Sequence, residues 1–85
     1  MIWLGMLYFS EIAGAVRFHR KESGLTRLEV ANLAGVGKTA VYDLEKGKET
    51  IQANILLKIL EALNIQIKLE SPLMELYREM NDEGS

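Results

Sequence analysis

The sequence contains no cysteine. That removes disulfides, zinc-thiolate sites and thiol nucleophiles, and it suits a reducing compartment. Histidine occurs once, at position 19, so a metal site would have to be built from one imidazole and carboxylates. No apolar run approaches the ~20 residues that a membrane-spanning helix needs. The most apolar stretch, residues 1–9 (MIWLGMLYF), has neither a basic leading segment nor a small-residue cleavage site. It is expected to be neither anchor nor signal peptide but an arm packing on the domain or a partner, or an extension ahead of Met6. No serine, histidine and carboxylate fall into a pattern suited to nucleophilic catalysis, so neither enzyme activity nor a cofactor is expected.

A chain of 85 residues holds one domain. A domain this small buries only about 60% of its unfolded surface, so a second copy would add useful burial. The net charge of −2 looks unsuited to nucleic acid until it is divided along the chain. From Arg17 to Lys48, seven basic residues face four acidic ones, a local charge of +3; from Glu49 onward, three basic residues face seven acidic ones. Such asymmetry is consistent with one face for phosphates and another for something else.

The basic part contains the most informative stretch, residues 25–47, LTRLEVANLAGVGKTAVYDLEKG. Thr26 followed three residues later by Glu29 has the spacing of a capping box, which starts a helix. Leu25, Val30, Ala31 and Ala34 form a narrow stripe of small apolar residues, suited to a helix crossed closely by another. Gly35-Val36-Gly37 is a short turn whose single apolar side chain can plug the angle between two helices. A second helix is predicted over 38–46, with Val41 and Leu44 inward and Lys38, Thr39, Tyr42 and Asp43 outward. Gly47 ends it.

Around this pair, Ser10 can cap a helix over about 11–23, with Ile12, Val16 and His19 on its inner face. Leu56, Ile59, Leu60 and Leu63 give a strong helical period over 52–63. The period then changes. Ile65, Ile67 and Leu69 alternate with Gln66, Lys68 and Glu70, the rhythm of a half-buried strand over 64–70. One strand cannot satisfy its own backbone, so pairing with the same strand of a second subunit, and hence a homodimer, is expected. Ser71-Pro72 should open a last helix carrying Leu73, Leu76, Tyr77 and Met80 on one side, followed by a frayed tail. The expected units are an arm (1–9), a helical domain with its strand (10–70) and a C-terminal helix (71–85).

Gly35 to Thr39 also spells GVGKT, the end of a phosphate-binding P-loop. That motif needs a further glycine at position 32, which is asparagine, and a strand where a helix is predicted, so the match is rejected.

Arg20, G-L-T at 24–26, A-G-V at 34–36, L-E-K-G-K at 44–48 and LLKILEAL at 56–63 together resemble the Xre/Cro-type helix-turn-helix repressors over residues 16–67. The strand-like ending after GKETIQANILLKILEAL resembles their HipB-like branch, antitoxin repressors that partner a HipA-type serine/threonine kinase. The resemblance implies a mainly α, lambda-repressor-like four-helix domain with a dimerising strand and a final short helix. It implies that Lys38, Thr39, Tyr42 and Asp43 face base edges in the major groove, while Arg27, Lys46 and Lys48 meet phosphates. It also implies a structural salt bridge between Arg20 and Glu45, and dimer contacts at Ile65, Ile67 and Leu69. The family often has Gln where Arg27 stands and Ser where Gly37 stands. The implied protein is a cytoplasmic, nucleoid-associated homodimer on a palindromic operator in double-stranded DNA, autoregulating a toxin–antitoxin operon and binding a HipA-type kinase. An interaction module with secondary DNA binding, or a phage-type repressor without a kinase, are the alternatives.

Overall fold

Apolar residues at helical spacing in four successive segments have to converge if any is to be buried, and the resulting core is small. Val16, Val30, Ala31, Val41, Leu44, Ile59, Leu60 and Leu63 form it. In a computed structural model that describes residues 8–84, with side chains to residue 81, these come from α1 (Phe9–Glu22), α2 (Arg27–Ala34), α3 (Lys38–Glu45), α4 (Ala53–Ala62) and the residue closing α4. A fifth helix, α5 (Met74–Gly84), follows. The chain is mainly helical, and there is no strand among the described residues.

α2 shows how sequence dictates these elements. Thr26 accepts a hydrogen bond from the Glu29 amide at 3.1 Å, and the Glu29 carboxylate accepts one from the Thr26 amide at 2.8 Å. This reciprocal box satisfies two amides that the first helical turn leaves unpaired. At the other end Gly35 adopts φ 72°, a left-handed conformation that costs glycine no steric strain. Among the described residues, Asn64, at φ 58°, is the non-glycine residue that takes this conformation, just beyond α4; its short polar side chain tolerates it.

α1 begins earlier than the Ser10 cap would place it. Tyr8 is the N-cap, without a side-chain bond, and Ser10 lies inside the helix. Phe9 packs against the core from the first helical position, and that burial outweighs a serine cap worth about 1 kcal/mol. Of the expected arm, residues 1–7 lie outside the described part of the chain. The inner line of α1 is Ala13, Val16 and Arg20. His19, expected inside, is exposed, with its Nδ1 2.6 Å from the Ala15 carbonyl oxygen and its ring edge-on to Phe18. The helix is turned so that Arg20 rather than His19 points inward.

Residues 65–71 carry no regular secondary structure, so the dimerising strand expected over 64–70 is corrected. The alternation there describes which side chains share a side. It does not supply the neighbouring backbone that a ladder requires. Ile65 packs against the core, whereas Ile67 and Leu69 are exposed. The Leu69 carbonyl accepts a 2.6 Å hydrogen bond from Arg78 Nη2 of α5. That helix starts at Met74, two residues later than Pro72 at its first position would give, and continues through Gly84, where a frayed tail was expected. Leu73, Leu76, Tyr77 and Met80 are all exposed.

The Thr26 amide, then its hydroxyl, hold the Glu29 carboxyl below its ordinary value. The resulting stabilisation is therefore complete above the unfolded carboxylate pKa of about 4.3 and is lost as pH falls through the lower folded value. Thr26→Ala is expected to lower the unfolding free energy by about 1 kcal/mol at neutral pH. Glu29→Gln, which can keep the box but cannot titrate, should flatten the acid limb of the stability curve. Urea melts from neutral pH into acid check both.

Candidate nucleic-acid interface

The turn between α2 and α3 is three residues long. The Val36 amide closes on the Ala31 carbonyl at 3.0 Å, and the half-buried Val36 side chain packs against the core. α3 therefore starts at Lys38 directly beside α2, with Gly37 as an N-cap that has no side chain to offer. Val41 and Leu44 are fully buried, and this pins the helix by one face. Lys38, Thr39 and Tyr42 are exposed and Asp43 is half-buried on the other side.

What fixes α3 to the rest is polar. Glu45, whose side chain is only 3% exposed, accepts hydrogen bonds from Arg20 Nε at 2.6 Å and Arg20 Nη2 at 3.0 Å. This two-point geometry suits a guanidinium and a carboxylate, and it is both stronger and more directional than a single contact. Arg20 Nη1 also donates to the Leu25 carbonyl at 3.0 Å, which holds the loop between α1 and α2. The Arg20 guanidinium is held in its charged form chiefly by its hydrogen bonds to Glu45, against the opposing effect of burial. No buried side-chain nitrogen or oxygen among the described residues lacks a partner.

A second arginine shares the carboxylate. Arg27, the first residue of α2, donates from Nε to Glu45 Oε1 at 3.2 Å and remains partly exposed. Its guanidinium carbon lies 5.4 Å from the centroid of the Tyr42 ring, and the Lys46 ammonium lies 4.4 Å from the same centroid. Lys46, by hydrogen bond and then by charge, holds the Tyr42 phenol below its usual range, and the Arg27 charge adds to this. Lys48 pairs with Asp43 at 3.5 Å. Arg17, Arg27, Tyr42, Glu45 and Lys46 together line a surface cleft of about 250 Å³.

The structure thus brings Arg27, Tyr42, Asp43, Lys46 and Lys48 to one end of α3, leaves Lys38 and Thr39 at its open N-terminus, and leaves Ile67 and Leu69 exposed in an irregular segment. The Tyr42–Lys46 contact has a signal in sequence, since residues four apart share a helix face. Arg17 and the Arg27–Glu45 bond have none, because they join residues from separate helices.

Two helices joined by this turn, the second exposing a polar outer face between basic residues, define a helix-turn-helix unit of the DNA-binding type. Residues 16–69 match the helix-turn-helix family. An uncharacterized HTH-type transcriptional regulator of Sinorhizobium fredii, y4mF, is 40% identical over 63 residues, which span 74% of this chain and 83% of that protein. Among solved structures, the chain of an MDT protein superposes with a TM-score of 0.72 at 20% identity, covering 82% of this chain and 99% of its own. A chain of a HipA-HipB-O2-O3 complex gives the same values. At that identity the likeness is one of fold. The chain belongs to the helix-turn-helix family of transcriptional regulators, of the Xre type with a HipB-like fold. Among the described residues, no helix is long and apolar enough to cross a membrane.

Glu45→Ala leaves the Arg20 charge buried without its partner and is expected to cost about 3–5 kcal/mol in unfolding free energy. Replacing both, Arg20→Met with Glu45→Leu, should cost less than that single change, because no buried charge is stranded and the partly exposed Arg27 can turn to water. Urea denaturation of the three proteins measures the difference. A Glu45→Ala cost below about 1 kcal/mol would mean the pair behaves as a surface contact.

Proposed function

We propose that this regulator is a sequence-specific repressor that inserts α3 into the major groove, with Lys38 and Thr39 reading base edges. The observation that carries this reading is the placement of these two exposed side chains at the N-terminus of a helix fixed by its opposite face. Lysine can donate to guanine O6 or N7, and a threonine methyl can contact thymine. Tyr42 and Asp43, further along the face, are already engaged by Lys46 and Lys48. Arg27, Lys46 and Lys48 are proposed to meet backbone phosphates, which orient the protein without reading sequence.

The functional form is proposed to be a homodimer on a palindromic operator, its recognition helices about 34 Å apart. The exposed Ile67 and Leu69, together with the partly buried Ile65, are the proposed contact with the second copy, and the small core favours such added burial. The sharpest version is an antitoxin that represses its own toxin–antitoxin operon in the cytoplasm and binds a HipA-type kinase. Its support is the HipB-like fold, shared with a chain of a HipA-HipB-O2-O3 complex. A second reading, a kinase-binding module with DNA binding secondary, draws on the exposed apolar Leu73, Leu76, Tyr77 and Met80. It requires a stable complex with the neighbouring gene product without DNA, which co-purification would reveal.

Lys38→Ala is expected to weaken operator binding and relax preference at one base pair. Arg27→Ala should weaken binding to all sequences alike and reduce the salt dependence by about one unit of slope. Binding selections with randomised operators test both. Parent-like affinity and preference in both variants would remove the assignment.

A further inference from the structure

The cleft among α1, α2 and α3 carries more charge than its position as a structural seam requires. Arg17, Arg27 and Lys46 line it against the single carboxylate of Glu45. That carboxylate is already occupied by both nitrogens of the Arg20 fork as well as by Arg27. Arg27 spends only its Nε on Glu45, which leaves its two terminal amino groups for a second acceptor. Arg17 is exposed and enters no ion pair among the described residues. Lys46 is exposed and stands over the Tyr42 ring. The volume, about 250 Å³, accommodates a tetrahedral anion.

Tyr42 sits in the middle of this group. It presents its ring to two cations at once, Arg27 at 5.4 Å and Lys46 at 4.4 Å from the centroid. Aromatic rings attract cations through the negative face of their quadrupole, and the attraction persists when the cation also binds an anion. The ring therefore keeps two long, entropically expensive side chains close together before any ligand arrives, and lowers the ordering cost of binding.

We propose that Arg17, Arg27 and Lys46 form a pre-organised seat for one phosphodiester of the DNA backbone, and that Tyr42 is its positioning residue rather than a reader of base edges. The proposal rests on the DNA-binding reading above and extends it by adding Arg17 from α1 to the interface and changing the role of Tyr42. The ligand is a phosphate oxygen pair carrying one negative charge. In duplex DNA this comes from the strand bordering the groove that α3 enters. Free inorganic phosphate offers the same chemistry and is the rival source. Glu45 fixes the orientation of Arg27 through Nε and supplies the counter-charge that lets three cations gather in the absence of DNA.

The test is a salt titration of binding to two duplexes of equal length, one from the region upstream of the protein's own gene and one of random sequence. Each phosphate neutralised contributes about 0.9 to the slope of log Kobs against log salt. Arg17→Ala should weaken binding to both duplexes alike and lower the slope by at most the ~0.9 of one phosphate, which sets an upper limit of about eightfold at 0.1 M salt. Tyr42→Ala leaves all three charges in place and should lower affinity on both duplexes alike, because its cations are no longer held. Tyr42→Phe keeps the ring contacts to Arg27 and Lys46 and gives up only the hydroxyl's bond to Lys46, so it should restore most of the affinity on both duplexes. An Arg17→Ala protein with the parent affinity and the parent slope overturns the seat. So does a Tyr42→Phe protein that loses affinity for the upstream duplex alone, since the hydroxyl would then be reading a base. Inorganic phosphate, added at constant ionic strength, should displace DNA no better than chloride; displacement at micromolar phosphate would assign the cleft to a free anion instead. A parent that binds neither duplex saturably would sink the DNA-binding reading itself. Saturable binding by the parent, with parent-like affinity and slope in both alanine variants, would sink only the seat.

Discussion

The carboxylate of Glu45 is bonded by Arg20 from α1 and by Arg27 from α2, while Glu45 itself ends α3. Three helices therefore meet at one buried charge, and the third hydrogen bond of Arg20 adds the loop that leads into α2. An apolar contact of equal strength would hold the helices together but would tolerate sliding and rotation. A two-point guanidinium–carboxylate bond admits little of either. The apolar face of α3, with Val41 and Leu44 fully buried, supplies adhesion, and the Glu45 centre supplies register. A helix that reads DNA needs both, because base edges are distinguished by hydrogen bonds with narrow distance limits.

The same centre organises the electrostatics. A chain of net charge −2 can bind a polyanion only if its positive charge is gathered, and gathered cations repel one another. Glu45 offsets that repulsion from within, the Tyr42 ring does so from the surface, and Asp43 does so for Lys48. The acidic residues that make the total negative lie mostly beyond Glu49, in the segment that includes the exposed apolar side chains of α5 and the residues leading to it. The basic residues and the acidic, apolar ones thus occupy different parts of the chain.

The local signals in the sequence were the reliable ones. Thr26 and Glu29 announced a helix start that needs nothing outside four residues, and Gly35 announced the stop. The period over 56–63 identified the inner face of α4 because burial there is one-sided. Failures came where the outcome depends on something outside the segment. Ser10 was a plausible cap, but Phe9 found the core. His19 and Arg20 are neighbours, and which of them turns inward is decided by a carboxylate 25 residues away from Arg20. The alternation at 65–70 fitted a strand, yet these residues form no regular element, because alternation fixes sides and not a pairing partner. At the candidate interface, the residues of α3 could be assigned to faces from spacing alone. The Arg17–Arg27–Lys46 grouping could not, since three helices have to be assembled before those charges meet.

The central claim is that the polar face of α3 reads a particular DNA sequence. Fluorescence anisotropy on labelled DNA from immediately upstream of the gene, with excess random-sequence competitor, measures this directly. The account requires saturable binding that survives the competitor, with two subunits per site and an affinity that falls as salt rises. Binding abolished by competitor in proportion to its concentration, with no preference for the upstream sequence, would contradict it.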